Sequence, residues 1–276
     1  MVKTAFKLAY IGTDFHGFQR QPNFPTVEGE LFKAFKKAGI MDDPEKLHYS
    51  IAGRTDRGVH ALGNVISLKT DSKATINQIN YYLPSSIQII GKAEVPFGFK
   101  PRYAEYRHYK YVFFKDPFGE KILNLKKMQK ASKILEGTHN FRNFSKRCER
   151  SPTRNVNELK VSQYKMLIVI DVIGESFLWN MVRKIVQVII KIGMGEMDEK
   201  ELSLLLNPDI VASITPVPPD GLILMDVKYK DVEFNIDRYA TKNFFKTIKD
   251  EYIRRRTIAS VEEEMIKVLT TPQISK

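Results

Sequence analysis

The chain has 276 residues, 43% hydrophobic and 11% aromatic, a composition that indicates a folded globular protein and excludes a disordered one. Its 44 Lys and Arg residues outnumber the 32 Asp and Glu residues, and the net charge of +12 favours a phosphate-rich partner such as nucleic acid, although a solvated basic surface would have the same composition. Cys148 is the sole cysteine, which excludes an internal disulfide and a cysteine-based zinc cluster and indicates a reducing, cytoplasmic compartment.

The first hundred residues predict an alternation of strands and helices. Apolar alternation predicts strands over 4–11, 59–69 and 87–95. Helical spacing of apolar residues predicts a helix from Val27 to Ala38, which Gly39 ends, and a second over 75–83, which Pro84 ends.

The second half of the chain also predicts strands and helices in alternation. Strands are predicted over 108–114 and 222–228, a β-hairpin over 156–174 that turns near 163–165, and a helix over 125–135. The most apolar stretch, 177–195, predicts a long helix that begins at Phe177, and a short helix follows Asp198. Three basic residues interrupt that stretch, so we expect a buried helix and no contact with a membrane.

These elements predict an α+β fold made of two similar subdomains, each a mostly antiparallel sheet with helices on one face. We expect the first subdomain to span 1–101 and the second 102–230. The charged residues 231–276 predict a helical extension, in which Arg254–Arg256 more often form a solvated helix face than an RNA contact.

One short stretch, "GRTDRGVHA" from Gly53 to Ala61, is unusual for a surface loop. Arg54 and Arg57 flank Asp56 and favour its ionised form, which suits a nucleophile or an electrostatic stabiliser. Glycines on both sides allow tight turns and close approach of a ligand. From physical chemistry alone, a glycine-bounded turn with an exposed ion pair is the more common explanation.

A resemblance to a known family favours the functional explanation of this stretch over the turn. "GRTDRGVHALGNV" resembles the central motif of the TruA family of tRNA pseudouridine synthases, written GRTD-x-GVHA. Other stretches resemble further motifs of the family and follow in the family's order, from Tyr10 to about Tyr229. One departure is Phe18, where tryptophan is common in the family. The stretches are "YIGTDFHGFQRQP", "TVEGELFKAF", "INYYLPSSI", "FKPRYAEYRHYKYVFF", "GTHNFRNFSK", "TRNVNELKV", "FLWNMVRKIV" and "PDGLILMDVKY".

The resemblance implies a role for each matching residue. Asp56 matches the family's essential aspartate, which acts as a nucleophile or assists departure of uracil from the ribose. Arg54 is implied to flip or hold the base, Tyr109 to stack on it, Arg183 to pair with the aspartate, and Leu222 to line the pocket. The two subdomains are then expected to enclose a basic central cleft with Asp56 at its floor.

The same resemblance implies a substrate and a partner. The substrate would be the anticodon stem-loop of tRNA at uridines 38, 39 and 40, with no cofactor and no metal, and the protein would form a homodimer. A pseudouridine synthase acting at other tRNA or RNA sites and a non-catalytic RNA-binding protein of the same fold remain alternatives. A hydrolase is a weaker one, since no matching acid, base or metal set accompanies Asp56.

Further basic residues are candidates for gripping RNA. The stretch "FRNFSKRCERSPTR" interleaves aromatic residues with cations, a pattern that suits phosphate contact and stacking, and the first loop adds two more candidates. The candidates are Arg20, Gln21, Arg142, Lys146, Arg147, Arg150 and Arg154. Between 180 and 191, the polar residues Asn180, Arg183, Lys184, Gln187 and Lys191 predict a solvent-facing stripe, from which the resemblance removes Arg183 alone.

Overall fold

The computed structural model describes residues 2–40, 47–70, 75–115, 123–145 and 151–270. Within these ranges the chain forms ten strands in one sheet, six helices and two short 3₁₀ turns. The strands are β1 (Val2–Tyr10), β2 (Ser50–Ile51), β3 (His60–Thr70), β4 (Ile87–Val95), β5 (Tyr106–Phe114), β6 (Gly137–Asn140), β7 (Thr153–Tyr164), β8 (Leu167–Gly174), β9 (Leu222–Lys228) and β10 (Asn235–Ile236). The helices are α1 (Val27–Lys37), α2 (Ile76–Asn80), α3 (Leu125–Leu135), α4 (Met181–Gly193), α5 (Glu199–Leu206) and α6 (Arg238–Thr270).

The sheet runs in the order β10-β4-β1-β3-β9-β5-β8-β7-β6, and β2 pairs with β3 beside this path. Every pairing is antiparallel except that of β3 with β9, where His60 faces Ile223 and Ala61 faces Leu224. The predicted α+β class with a mostly antiparallel sheet is therefore confirmed. The two-subdomain division is not visible as two separate sheets, because β9 lies between β3 and β5 and joins the two halves, and the boundaries at 101 and 230 stay predictions.

The local sequence explains where the helices begin and end. In α1, the Thr26 side chain accepts a hydrogen bond from the Gly29 amide and caps the amino end, and Gly39, with φ of 68°, follows its carboxyl end. Its apolar residues Val27, Leu31, Ala34 and Phe35 are buried as predicted. α2 is shorter than predicted, since its helical residues end at Asn80, before the turn that leads to Pro84.

The predicted start of the long helix at Phe177 is wrong. α4 begins at Met181, because Asn180 adopts the left-handed conformation with φ of 65° and interrupts the helix. Residues 176–180 are therefore a non-helical segment that ends in a turn, in which the Met181 amide donates to the Leu178 carbonyl at 3.1 Å, instead of the first turn of the helix. This difference matters for the site, since residues 176–180 line the same cleft as Asp56.

The solvent-facing stripe predicted on α4 is wrong for one residue. Lys184 is buried, and its ammonium donates to the Ser145 carbonyl at 2.7 Å and to the Asn143 carbonyl at 3.3 Å. Burial lowers the pKa of Lys184. The residue ties α4 to the 3₁₀ turn Arg142–Phe144 instead of meeting solvent.

The C-terminal residues contribute more than the predicted extension. β10 pairs with β4 and adds an edge strand to the sheet, and α6 then contacts β4 and α2. Only Ala240 and Phe244 of α6 are buried, both in its first turns. No helix within the described ranges is long and apolar enough to cross a membrane.

Candidate active site

Asp56 lies in the loop between β2 and β3, and a buried hydrogen-bond network fixes that loop. The Tyr10 hydroxyl bonds to Thr55 Oγ1 at 2.8 Å and accepts from Asn64 Nδ2 at 3.2 Å. The same Asn64 amide donates to the Gly53 carbonyl at 3.0 Å. Because all three side chains are buried, these bonds hold the residues on both sides of Arg54 in one place.

The first loop packs directly against the Asp56 loop, backbone to backbone. The Phe18 amide donates to the Thr55 carbonyl at 3.0 Å. A Cβ added at Gly12 would lie 2.0 Å from the Val59 carbonyl oxygen, and Gly17, with φ of +92°, is 2.9 Å from the Thr55 carbonyl oxygen by the same construction. Only glycine fits this approach, which explains why the motif "YIGTDFHGFQ" carries one at each position.

Both oxygens of the Asp56 carboxylate accept hydrogen bonds, one from the first turn of α4 and one from the segment before it. Arg183 Nη1 lies 3.0 Å from Oδ2, and Trp179 Nε1 lies 2.9 Å from Oδ1. The Asp56 side chain is 27% exposed, so the carboxylate stays open to the cleft while it is held. Its ion-pair partner among the described residues is thus Arg183, rather than its chain neighbours Arg54 and Arg57.

Arg183 is itself fixed by other bonds of its guanidinium. Nε donates to the Val217 carbonyl at 2.8 Å, and Nη1 also approaches Asn180 Oδ1 at 3.4 Å. A planar guanidinium can serve the carboxylate and the backbone carbonyl at once. The carboxylate is therefore positioned by a group that has little freedom of its own.

Aromatic and apolar side chains form the wall beside Asp56. Tyr109 of β5 is buried, and its ring meets Phe177 edge-on, with 5.3 Å between centroids and an interplanar angle of 89°. Burial raises the pKa of Tyr109 to about 12, so its hydroxyl keeps its proton at physiological pH. Leu222, the first residue of β9, is also buried and lines the same cleft.

Arg107 connects three segments around this wall. Its guanidinium donates to the Ala52 and Arg102 carbonyls, each at 2.8 Å, and to the Glu175 carbonyl. Arg107 is buried, and all three bonds go to backbone oxygens. It therefore fixes the start of the Asp56 loop relative to β5, which carries Tyr109, and to the segment before α4.

Together these elements enclose a cleft of about 940 Å³. Its charged lining residues are Asp56 and four arginines: Arg54, Arg57, Arg107 and Arg183. Arg54 and Arg57 are exposed. The cleft therefore presents one carboxylate among cations and an apolar wall, which suits a phosphate-bearing ligand with a flat ring. No group of three or more His, Cys, Asp or Glu among the described residues could hold a metal ion.

Of the four other predicted RNA contacts that the structure describes, Gln21 alone is among the residues that line the cleft. Gln21 lines the cleft and donates to the His16 carbonyl at 2.7 Å. The Arg20 guanidinium carbon lies 4.2 Å from the centroid of the Phe32 ring, and Arg20 Nε lies 3.6 Å from Glu28 Oε2. Arg142 is exposed, and Arg154 Nη1 donates to the Ser151 and Thr153 carbonyls at 2.7 Å. The remaining three candidates, Lys146, Arg147 and Arg150, lie outside the described residues.

Sequence reasoning missed three side chains that build the site: Trp179, Phe177 and Arg107. The apolar pattern places the first two in a continuous helix that begins at Phe177, which hides their place in the lining of the cleft. A signal was present for Arg107, since a charged residue that alternates with Tyr109 and Tyr111 on one strand shares their buried face.

Comparison with known proteins identifies the family. A sequence model described as "tRNA pseudouridine synthase" matches residues 131–230. The chain is 44% identical over 272 residues to tRNA pseudouridine synthase A of Methanosphaera stadtmanae, covering 98% of this chain and 99% of the relative. It is 43% identical over 288 residues to the same-named protein of Methanobrevibacter smithii, covering 98% of each.

A match to a chain in the crystal structure of a Cbf5–Nop10–Gar1 complex covers 68% of this chain and 45% of that chain, at 12% sequence identity. Its TM-score is 0.35, so the similarity of the two folds is weak. The sequence relatives, by contrast, span nearly the whole chain at high identity. The chain therefore belongs to the tRNA pseudouridine synthase A family of isomerases.

Proposed function

We propose that the protein converts uridine to pseudouridine in tRNA, at one or more of positions 38, 39 and 40 of the anticodon stem-loop, with Asp56 as the catalytic nucleophile. The coarser part of this function, pseudouridine formation in tRNA, follows from family membership. The positions and the role of Asp56 go further. They draw on the motif resemblance and on the geometry of the cleft.

The reaction is an isomerisation that needs a group able to stabilise or bond ribose C1′. The C1′–N1 bond breaks and uracil leaves with the bonding electron pair, while the Asp56 carboxylate bonds to C1′. Uracil then turns within the cleft, and its C5 attacks C1′ and displaces the carboxylate. The C5 proton leaves and N1 gains a proton, so the product has the same atoms as the substrate.

The cleft supports each requirement of this chemistry. Its volume of about 940 Å³ lies near the upper end of the 300–1,000 Å³ typical of ligand pockets, so an unstacked nucleotide fits. Tyr109 and Leu222 offer the freed ring a flat, apolar wall, which offsets the few kcal/mol that unstacking costs. Arg54 and Arg57 are exposed at the same cleft and can contact the phosphates on either side of the flipped base.

The wider RNA surface and the assembly belong to the same proposal. We assign phosphate or base contacts to Arg20, Gln21, Arg142 and Arg154, and to Lys146, Arg147 and Arg150. The two halves of the chain, 1–101 and 102–230, act as similar subdomains on either side of the cleft. The protein works in the cytoplasm as a homodimer, and sedimentation equilibrium giving twice the mass of one chain would support the dimer.

The observation that carries the proposal is that Asp56 lines a cleft with four arginines while Trp179 and Arg183 hold its two carboxylate oxygens. The test is pseudouridine mapping by carbodiimide labelling and primer extension on unmodified tRNA transcripts. Stops at 38, 39 or 40 support the proposal. Stops elsewhere retain the chemistry and move the substrate site, and tight tRNA binding without stops indicates a binding protein.

A further inference from the structure

Helix α6 lies outside the family motifs, which end at about Tyr229. Its contact with the first loop is a bond from Arg255 Nη2 to Thr13 Oγ1 at 3.2 Å. Three residues after Thr13, the chain reaches His16 and Gly17, which line the cleft. The first half of α6 therefore runs from the edge of the sheet at β4 toward the loop that forms one cleft wall.

Five cations form a stripe along this half of the helix, which we call the basic stripe: Arg238, Lys242, Lys246, Lys249 and Arg256. At about 100° per residue they lie on one side, roughly opposite the buried Ala240 and Phe244. All five are exposed. The stripe thus faces away from the body of the protein.

The basic stripe differs from the other cations of α6 in its partners. Arg254 and Arg255 pair with Glu251 at 2.6 and 2.7 Å, and Lys267 pairs with Glu264 at 2.7 Å. By contrast, no stripe residue forms an ion pair with any carboxylate in the described part of the chain. Because paired cations are already neutralised locally, the stripe is where the helix presents uncompensated positive charge.

The charge of α6 is also uneven along its length. Residues 238–256 contain seven Lys and Arg residues and two acidic ones, whereas residues 257–270 contain one lysine and three glutamates. The distal half therefore repels a polyanion that the proximal half attracts. Two exposed aromatic rings, Phe245 and Tyr252, lie next to the stripe, at 64% and 65% exposure.

We propose that the basic stripe of α6 is a second tRNA-binding surface that grips the phosphate backbone outside the catalytic cleft, with Phe245 and Tyr252 packing against exposed bases or sugars. This proposal rests on the proposed function, since the RNA is the tRNA substrate. From Arg238 to Arg256 the stripe is about 27 Å long. The stripe is therefore long enough to contact several successive phosphates of one strand, since these lie about 3.4 Å apart along the axis of a duplex.

No stripe residue is among those that line the cleft, so removing the stripe should weaken tRNA binding without slowing the chemical step. The test variant is Lys242→Gln, Lys246→Gln, Lys249→Gln and Arg256→Gln combined. A matched variant removes four exposed charges elsewhere: Lys36→Gln, Lys37→Gln, Lys126→Gln and Lys127→Gln. Filter binding of a tRNA transcript over a salt series, with kcat and KM for pseudouridine formation, measures the effect.

We expect the stripe variant to raise Kd and KM at least tenfold with kcat within twofold. The slope of log affinity against log salt should fall by about three to four, since the variant removes four cations and each phosphate contact contributes about 0.7–0.9. The matched variant should stay within threefold in Kd with its slope unchanged, and arginine at the three lysine positions should keep wild-type binding. Equal effects in both glutamine variants, or an unchanged slope, would overturn the proposal.

Two further outcomes are distinguishable. Wild-type protein that binds tRNA through the stripe but forms no pseudouridine would defeat the proposed function and still support this surface. Flotation with anionic phosphatidylglycerol vesicles tests whether the stripe binds a membrane surface instead of RNA. If the stripe variant loses vesicle binding while its tRNA affinity is unchanged, the surface is a membrane contact and the proposal is wrong.

Discussion

Arg183 and Asp56 form an ion pair of 3.0 Å although they lie 127 positions apart along the chain. The pair joins the loop after β2 to the first turn of α4, and so the site exists only when both halves of the chain are folded together. The sheet makes the same connection, since β9 pairs with β3 on one side and β5 on the other. The fold and the site therefore depend on one interface.

The first prediction concerns the shape of the Arg183 side chain. Arg183→Lys keeps the charge but offers one ammonium where the guanidinium reaches both Asp56 and the Val217 carbonyl. We expect single-turnover pseudouridine formation to slow at least tenfold, equivalent to about 1.4 kcal/mol in the barrier. Lys191→Gln, on the same helix outside the cleft, is the control. A wild-type rate for Arg183→Lys would show that charge alone suffices.

The second prediction uses Trp179, the sole tryptophan of the chain. Its indole donates to Asp56 Oδ1 at 2.9 Å, so intrinsic fluorescence reports directly on the cleft that holds Asp56. We expect an anticodon stem-loop to change the emission of wild-type protein in a saturable way. A stem-loop that binds tightly with no change in emission would show that RNA does not reach Trp179.

The hydrogen bond of Trp179 has its own test. Trp179→Phe keeps an aromatic ring and removes the N–H donor, which leaves Oδ1 of Asp56 without this partner. We expect kcat to fall about three- to tenfold with KM nearly unchanged, since one hydrogen bond to a charged group contributes about 1.5–3 kcal/mol and water can replace part of it. A rise in KM at constant kcat would instead assign Trp179 to binding.

How far the sequence predicts this site depends on the kind of residue. Asp56, Gly53 and Gly58 lie in one short motif, so the sequence alone indicates a carboxylate in a tight turn. Arg183 could be assigned only through family resemblance, because its polar stripe on α4 otherwise predicts a solvent face. Lys184, one residue further on, was wrongly placed in that stripe, because its partners are backbone carbonyls 39 and 41 positions away, which no periodicity reveals.

The fold shows the same division between local and distant information. The bounds of β4, α3 and β9 match the prediction, since apolar spacing and capping residues are local signals. The start of α4 was missed because it depends on one left-handed residue, Asn180, within a helix-like pattern. The union of both halves in one sheet depends on the pairing of β3 with β9, which is parallel, short and distant in sequence.

The third prediction concerns Tyr109 and high pH. Burial raises the pKa of Tyr109 to about 12, so the folded protein keeps a proton that the unfolded chain releases near the ordinary value of 10.0. The stability from this group is complete below that value and is lost as the pH rises from there toward the folded pKa. Tyr109→Phe has no such group, so it should lose less free energy of unfolding than wild type between about pH 9 and 11. Urea unfolding at both pH values measures this, and equal losses would contradict it.

The fourth prediction concerns the contact between the first loop and the Asp56 loop. A Cβ at position 12 would lie 2.0 Å from the Val59 carbonyl oxygen, so Gly12→Ala must displace backbone. We expect it to destabilise the fold by about 2 kcal/mol or more and to lower activity. Gly98→Ala, where an added Cβ meets nothing within 4 Å, should change stability by less than about 0.5 kcal/mol. Equal effects of the two substitutions on thermal unfolding would show that the loops are not in close contact.

The role of Asp56 is the central claim, and Asp56→Asn tests it most directly, because it keeps the shape of the side chain and removes the charged oxygen that pairs with Arg183. The measurement is single-turnover pseudouridine formation on a tRNA transcript, with the Kd of the same transcript determined in parallel. We expect turnover to be abolished and the Kd to stay within a few-fold of wild type, since affinity depends mainly on phosphate contacts. Pseudouridine formed by Asp56→Asn at a rate near that of wild type would show that Asp56 is not the catalytic group.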